Sequence, residues 1–393
     1  ASTGGQITPP VMGAVAFLMI EYLGLPLTTI LTAAIVPAFM HFFGVLVQVH
    51  LEAKRLGLRG LHPSELPNAW KVLRQGWLAL MPLILLVAVL MSGRTPFAAA
   101  FWSITACIAV LLWQELSAKG LTEGLKGAAH GIYEGFKLGA KQSLSVTAAA
   151  ALVGVVIGVV TLTGVGFKIA YMVTGIASGW AQDVSGWLSV LPFEIMGLDT
   201  LTLLFTLILT AVVCVLMGCG IPTTANYIIM VAVAAPVLGL MNVEPIVAHF
   251  FVFYYGVLAD VTPPVAMAAY AGAGIAGANA FKAGNTAFRL SMGKALVPFV
   301  FAFQPALLLV TQDFTWANFL LAFGGAVLGI LALSAAITGW LFSRPSMLER
   351  VLLAFAAILL VAPDWTATII GLVIAVPIAL RLHSVARKAP AVA

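Results

Sequence analysis

Gln6-Ile7-Thr8-Pro9-Pro10-Val11 returns in the second half of the chain as Asp260-Val261-Thr262-Pro263-Pro264-Val265. Each copy lies inside a long apolar segment. Proline has no N–H to donate, and its ring clashes with the carbonyl one turn back, so neither segment continues as a regular helix. In hydrocarbon a freed polar group costs several kcal/mol unless protein or a water-lined cavity satisfies it. The surroundings are suited to hydrocarbon: 62% of the residues are hydrophobic and 8% charged, against roughly 25% charged in a soluble domain. The fold class expected is therefore an all-α polytopic membrane protein with broken helices. The same break in both halves of such a chain marks a binding site near the bilayer midplane.

A helix needs about 20 apolar residues to cross the bilayer. Candidate spans cover 9–22, 27–49, 77–92, 96–113, 143–163, 199–217, 225–240, 246–281 (broken), 295–311, 316–341, 347–362 and 365–380. Basic residues orient them. Lys54, Arg55, Arg59, Lys71 and Arg74 form one cluster, and Lys119, Lys126, Lys137 and Lys141 another. Lys282, Arg289 and Lys294, then Arg344 and Arg350, then Arg381, Arg387 and Lys388 follow, each cluster two spans from the next. All of these clusters are cytoplasmic, with the C-terminus, if 199–240 is a re-entrant hairpin; Arg94 is the exception, in a short turn that should face outside. The net charge of +5 reads as orientation and not as a nucleic-acid surface. Residues 121–141 place Leu121, Leu125, Ala128, Ile132 and Phe136 on one helical face, which suits a membrane-surface helix or one packed on loops. Ser346 and Glu349 have capping-box spacing. Cys107, Cys214 and Cys219 show neither metal spacing nor a disulfide framework.

The most polar stretch within apolar surroundings is Met217-Gly218-Cys219-Gly220-Ile221-Pro222-Thr223-Thr224-Ala225-Asn226. As a hairpin tip it offers unwound carbonyls, two hydroxyls and an amide. These are uncharged oxygen ligands for a monovalent cation, and a helix restarting at Thr223 points its positive end at an anionic substrate. A proline-kinked helix capping its own backbone is the alternative. The Thr-Pro-Pro breaks should free the carbonyls of Ala259 and Asp260 beside Thr262, and those near Gly5 and Gln6 beside Thr8, with Ser2, Thr3 and Gly4 one turn earlier. Asp260 is ionisable at membrane depth, a functional position by default. It suits a cation ligand, a proton carrier or a partner for Lys or Arg, while its repeat counterpart Gln6 is neutral. His249 fits a helix cap near the outer surface, and Glu21 and Glu244 solvated span ends. Gly272-Ala273-Gly274-Ile275-Ala276-Gly277 matches a dinucleotide fingerprint but follows no strand, so close helix packing explains the glycines better. Gly154 and Gly158 suggest close packing too.

Gly218 to Tyr227 together with Gly256 to Pro264 resembles the large membrane subunit of TRAP transporters, and more narrowly the fused permeases of the TAXI subgroup. Ser2-Thr3-Gly4-Gly5-Gln6-Ile7-Thr8-Pro9-Pro10 is similar to the matching segment of the first repeat. The resemblance implies an inverted-repeat elevator-type transporter in the cell inner membrane. Residues 1–50 would end the first transport repeat, and 51–142 would hold a loop, two scaffold spans and an arm helix. The second repeat would occupy 143–311, with hairpin 199–240 and broken helix 246–281, and 312–393 would be accessory spans. It also implies Na+ as coupling ion, an organic anion such as a carboxylate as substrate, and a periplasmic solute-binding protein as partner. Gly218, Cys219, Thr223, Thr224, Asp260 and Thr262 would surround one sodium, and Thr3, Gly4 and Thr8 another. Thr223, Thr224 and Asn226 would face the substrate. The family's first hairpin would lie upstream of Ala1, so the chain is expected to be the C-terminal portion of a larger permease, unable to transport without it. Enzymatic chemistry is not expected. A binding-protein-independent carrier, proton-coupled or not, an intramembrane enzyme and a non-transporting anchor subunit are the rivals.

Overall fold

A computed structural model describes residues 2–10, 12–58, 60, 62, 66–190, 195–219, 221 and 223–388. Val11, Arg59, Gly220 and Pro222, which the sequence reading used, lie outside the described residues. The described residues form helices and turns without a strand, and seven of their helices are long and apolar enough to cross a membrane. This is an all-α polytopic membrane protein. The chain divides into two units, residues 1–58 with 152–393, and residues 59–151.

In the first unit a 3-10 turn, Ser2–Gln6, precedes α1 (Val15–Leu23) and α2 (Leu27–Leu56). The expected span 9–22 is helical only after the Pro-Pro pair has passed. α2 runs beyond 49 because Lys54 and Arg55 favour a helix C-terminus, and Gly57 closes it at φ 68°.

The second unit holds α3 (Ala69–Met91), α4 (Pro96–Lys119) and most of α5 (Leu121–Thr163). α3 and α4 pack side by side, and Ser103 donates to the Pro82 carbonyl at 3.0 Å. The arm helix and the span after it, expected as two elements, are the single helix α5, since no proline interrupts Lys137 to Val146. Ala128 is buried, but Leu121, Leu125 and Phe136 of its apolar face are exposed.

The first unit continues with α6 (Val165–Leu188), absent from the expected spans because Lys168, Asp183 and several small residues dilute its hydropathy. Its buried stripe of Gly166, Ala170, Val173, Ala177 and Ala181 faces α7 (Leu198–Gly218) and α8 (Thr223–Leu240). α9 (Pro245–Ala259) is central: every residue from Ile246 to Ala259 is buried, as befits a helix apolar all round. α10 (Met267–Ala276) and α11 (Ala280–Ser291) follow the break. Gly272 and Gly274 face open space, and so do Gly154 and Gly158. The close packing expected at all four is therefore not what they provide; α10 meets α11 through Tyr270 against Gly284 instead.

The expected span 295–311 is not one helix. It divides into a 3-10 turn, Met292–Leu296, α12 (Val297–Phe303) and a second turn, Pro305–Leu308, where Pro305 ends the helix. α13 (Trp316–Thr338), α14 (Met347–Val361) and α15 (Trp365–Lys388) complete the unit. The Ser346–Glu349 capping box is present, with Ser346 N–H donating to Glu349 at 2.8 Å and Glu349 N–H to Ser346 at 3.3 Å. Arg350 donates to the Ala336 and Ile337 carbonyls at the end of α13. α13 packs on α2 and on the turn at Met292–Leu296.

At Gly325 of α13 an added Cβ would stand 2.5 Å from the Leu360 carbonyl oxygen of α14, whereas neighbouring Gly324 is open. Gly325→Ala should therefore cost about 1–3 kcal/mol through overpacking, more than the ~1 kcal/mol of helix propensity it gains. The check is a lower Tm in detergent for Gly325→Ala than for Gly324→Ala. Equal values would contradict the close approach.

Candidate functional site

The two Thr-Pro-Pro segments adopt one local structure. In the first, Ile7 N–H and Thr8 Oγ1 both donate to the Gly4 carbonyl, at 3.1 and 2.7 Å, and Met12 N–H donates to the Thr8 carbonyl at 3.1 Å. In the second, Val261 N–H and Thr262 Oγ1 donate to the Leu258 carbonyl, at 3.2 and 2.9 Å, and Ala266 N–H to the Thr262 carbonyl at 3.1 Å. Both Pro-Pro bonds are cis. Met12 and Ala266, two residues beyond, have positive φ of 32° and 29°. The Ala259 carbonyl, expected to be free, accepts from Thr262 N–H at 3.0 Å, because the chain tightens into a turn there.

The repeat counterparts meet. Gln6 Nε2 donates to Asp260 Oδ2 at 3.5 Å, and Thr223 Oγ1 donates to the same oxygen at 3.3 Å. The carboxylate at the end of α9 thus joins the first break to the start of α8. Gln6 Oε1 is buried there without a partner. Thr224 is half-buried one residue on.

Behind this point Asn226 is 1% exposed, and neither its Nδ2 nor its Oδ1 has a partner. Two glycines make room for it: a Cβ at Gly218 would meet Asn226 Nδ2 at 2.5 Å and Ala259 Cβ at 2.6 Å, and one at Gly256 would meet Nδ2 at 2.9 Å. Cys219 turns its thiol to the Val215 carbonyl at 3.2 Å, and Thr262 its hydroxyl to its own helix.

At the first break Thr3 is buried and Gly4 lies under α2, where a Cβ would stand 2.6 Å from the Phe42 ring and 3.3 Å from His41 Nε2. Sequence reasoning missed two residues here. Lys294, assigned to a cytoplasmic cluster, is buried, and its Nζ donates to Thr3 Oγ1 at 3.3 Å and lies 3.4 Å from His41 Nε2. The signal available was His41 itself, an ionisable residue in the middle of an expected span. His249 is no exposed cap: it is buried, with Nδ1 2.6 Å from the Tyr227 hydroxyl.

Asp260, Thr223 and the orphaned Gln6 Oε1 present hard oxygen donors from three segments, a donor set suited to a small hard cation. Among the described residues no group of three His, Cys, Asp or Glu is close enough to hold a metal ion.

An all-helical membrane chain with paired helix breaks around a half-buried carboxylate belongs to the class of membrane permeases. Residues 1–316 match the family model for the DctM component of the tripartite ATP-independent periplasmic transporter. The chain belongs to this family and is a TRAP transporter membrane permease, a multi-pass protein working in a system with further components. No curated protein and no solved structure matches it.

Gly218→Ala should displace Asn226 or Ala259 and cut uptake by the assembled transporter at least about tenfold, since misplacing a positioned group by an ångström costs up to about a hundredfold. Gly239→Ala, in open space on α8, serves as the control. Equal uptake by the two variants would show that the Asn226 cradle is unimportant.

Proposed function

We propose that this chain is the permease subunit of a sodium-coupled, binding-protein-dependent secondary transporter that imports organic anions such as carboxylates. The observation that carries this reading is the Asp260 carboxylate, shared by Thr223 and Gln6 where the two repeated breaks meet. Sodium is the ion such a site suits: one carboxylate, a hydroxyl and an amide oxygen give a weak, hard donor set that releases its ion each cycle. Thr262, Gly218 and Cys219 border it mainly through backbone and packing. Thr223 and Thr224, in the first turn of α8, face the substrate, where the helix dipole favours a carboxylate; Asn226, expected beside them, is buried behind this turn.

On this reading α7 and α8 form a re-entrant hairpin, and the repeats travel together as an elevator of the TAXI type. Delivery of the anion falls to a periplasmic solute-binding protein. The protein lies in the inner membrane with the basic end of α15, Arg387 and Lys388, in the cytoplasm.

The direct test is uptake by the full permease in proteoliposomes, with its binding protein, with and without an inward sodium gradient. Uptake requiring both supports the reading. Uptake driven by a proton gradient, or proceeding without the binding protein, overturns the corresponding part. Thr223→Ala should raise the sodium concentration for half-maximal uptake by about tenfold, the equivalent of ~1.4 kcal/mol of lost ligation, and Asp260→Ala should leave no sodium-dependent uptake. Unchanged sodium dependence in both would sink the site assignment.

A further inference from the structure

Lys294 sits in the 3-10 turn between α11 and α12, and its side chain is 5% exposed. Its nearest polar partners, Thr3 Oγ1 and His41 Nε2, carry no negative charge. Among the described residues no carboxylate lies within ion-pair distance of it, and Asp260 acts on it electrostatically from farther away. A buried ammonium without an adjacent anion is costly to keep, and at membrane depth such a group marks a functional position.

Its placement is built in. Gly44 of α2 lets the turn approach so closely that a Cβ there would stand 3.0 Å from Lys294 N. The ammonium reaches from the second repeat to the break of the first and stops at Thr3. By the offset relating the two breaks, the counterpart of Lys294 is Met40 and that of Thr3 is Val257, both apolar. The pseudo-symmetry is therefore electrostatically broken: one break carries a carboxylate, the other an ammonium.

The cavity bordered by Lys294, His41, Tyr254 and Tyr255 measures about 10 Å³. It has room for one water and none for an organic acid. The Lys294 charge stands instead beside the hydroxyl of Thr3, where the resemblance implied a sodium ion.

We propose that Lys294 supplies a cation at the first helix break in place of a sodium ion, so that only the second break, around Asp260 and Thr223, takes sodium. This goes beyond, and rests on, the sodium-coupled reading above. A sodium ion at Thr3 would face an unscreened positive charge in a poorly solvated site, and like charges there repel strongly.

The test counts sodium bound at saturation to the full permease by equilibrium dialysis with radioactive sodium, and follows Tm against sodium concentration. Lys294→Gln, close in size and neutral, should bind one more sodium ion per chain than the wild type and gain a larger sodium-dependent rise in Tm. Asp260→Asn, with Lys294 intact, should lose all saturable sodium binding, and Asp260→Asn combined with Lys294→Gln should keep one ion. A folded Lys294→Gln with the wild-type count would overturn the proposal. So would an Asp260→Asn protein that still binds a stoichiometric ion. If Lys294→Gln gives no cooperative melt, the Asp260→Asn count decides. A wild type that binds no sodium overturns the sodium reading itself, and this inference with it.

Discussion

A carboxylate drawn partly out of water is stabilised by the groups that meet it. Asp260 is met by Thr223 from the start of α8 and by Gln6 from the opposite repeat. Much of the surrounding architecture serves that meeting. α9 is buried along its length so that its end arrives at the centre of the unit, and the Pro-Pro pair stops the helix there. Gly218 and Gly256 let α7, α8 and α9 close around Asn226. Replacing any of these with a bulkier or helix-continuing residue would move the carboxylate or its partners.

The two breaks are copies in backbone and opposites in charge. Both threonines donate to the carbonyl four residues back, and the same tight turn follows each. What differs is what sits beside them, a carboxylate at one and the Lys294 ammonium at the other. α13, beyond the segment that matches the family, packs on the turn that carries Lys294. There Gly293 fits so tightly that a Cβ would stand 2.7 Å from Ser334 Oγ. The C-terminal helices therefore help hold the cationic side of the site.

Much of the all-helical fold was legible because hydrophobic run length and proline position are local signals. The Thr-Pro-Pro repeat announced both breaks, and Asp260 announced itself as a charge at membrane depth. The direct contact between Gln6 and Asp260 was not legible, since it depends on how the repeats pack. Lys294 was misread because it lies at the edge of an apolar run, where a lysine ordinarily reaches water; only the turn at Met292–Leu296 folds it inward. α6 was missed because its burial comes from small residues, Gly166, Ala170 and Ala177, which score weakly as hydrophobic yet pack closely. The α5 boundary failed because surface character changes along a helix without ending it.

The central claim is that the two repeats meet functionally at one carboxylate. A double-mutant cycle of Gln6→Ala and Thr223→Ala, the two residues that share Asp260 Oδ2, read out as the sodium concentration for half-maximal uptake by the full permease, tests it most directly. Residues in one network couple by about 0.5–3 kcal/mol, so the double variant should depart from the product of the single effects by threefold or more. Independent, multiplicative effects would contradict the account.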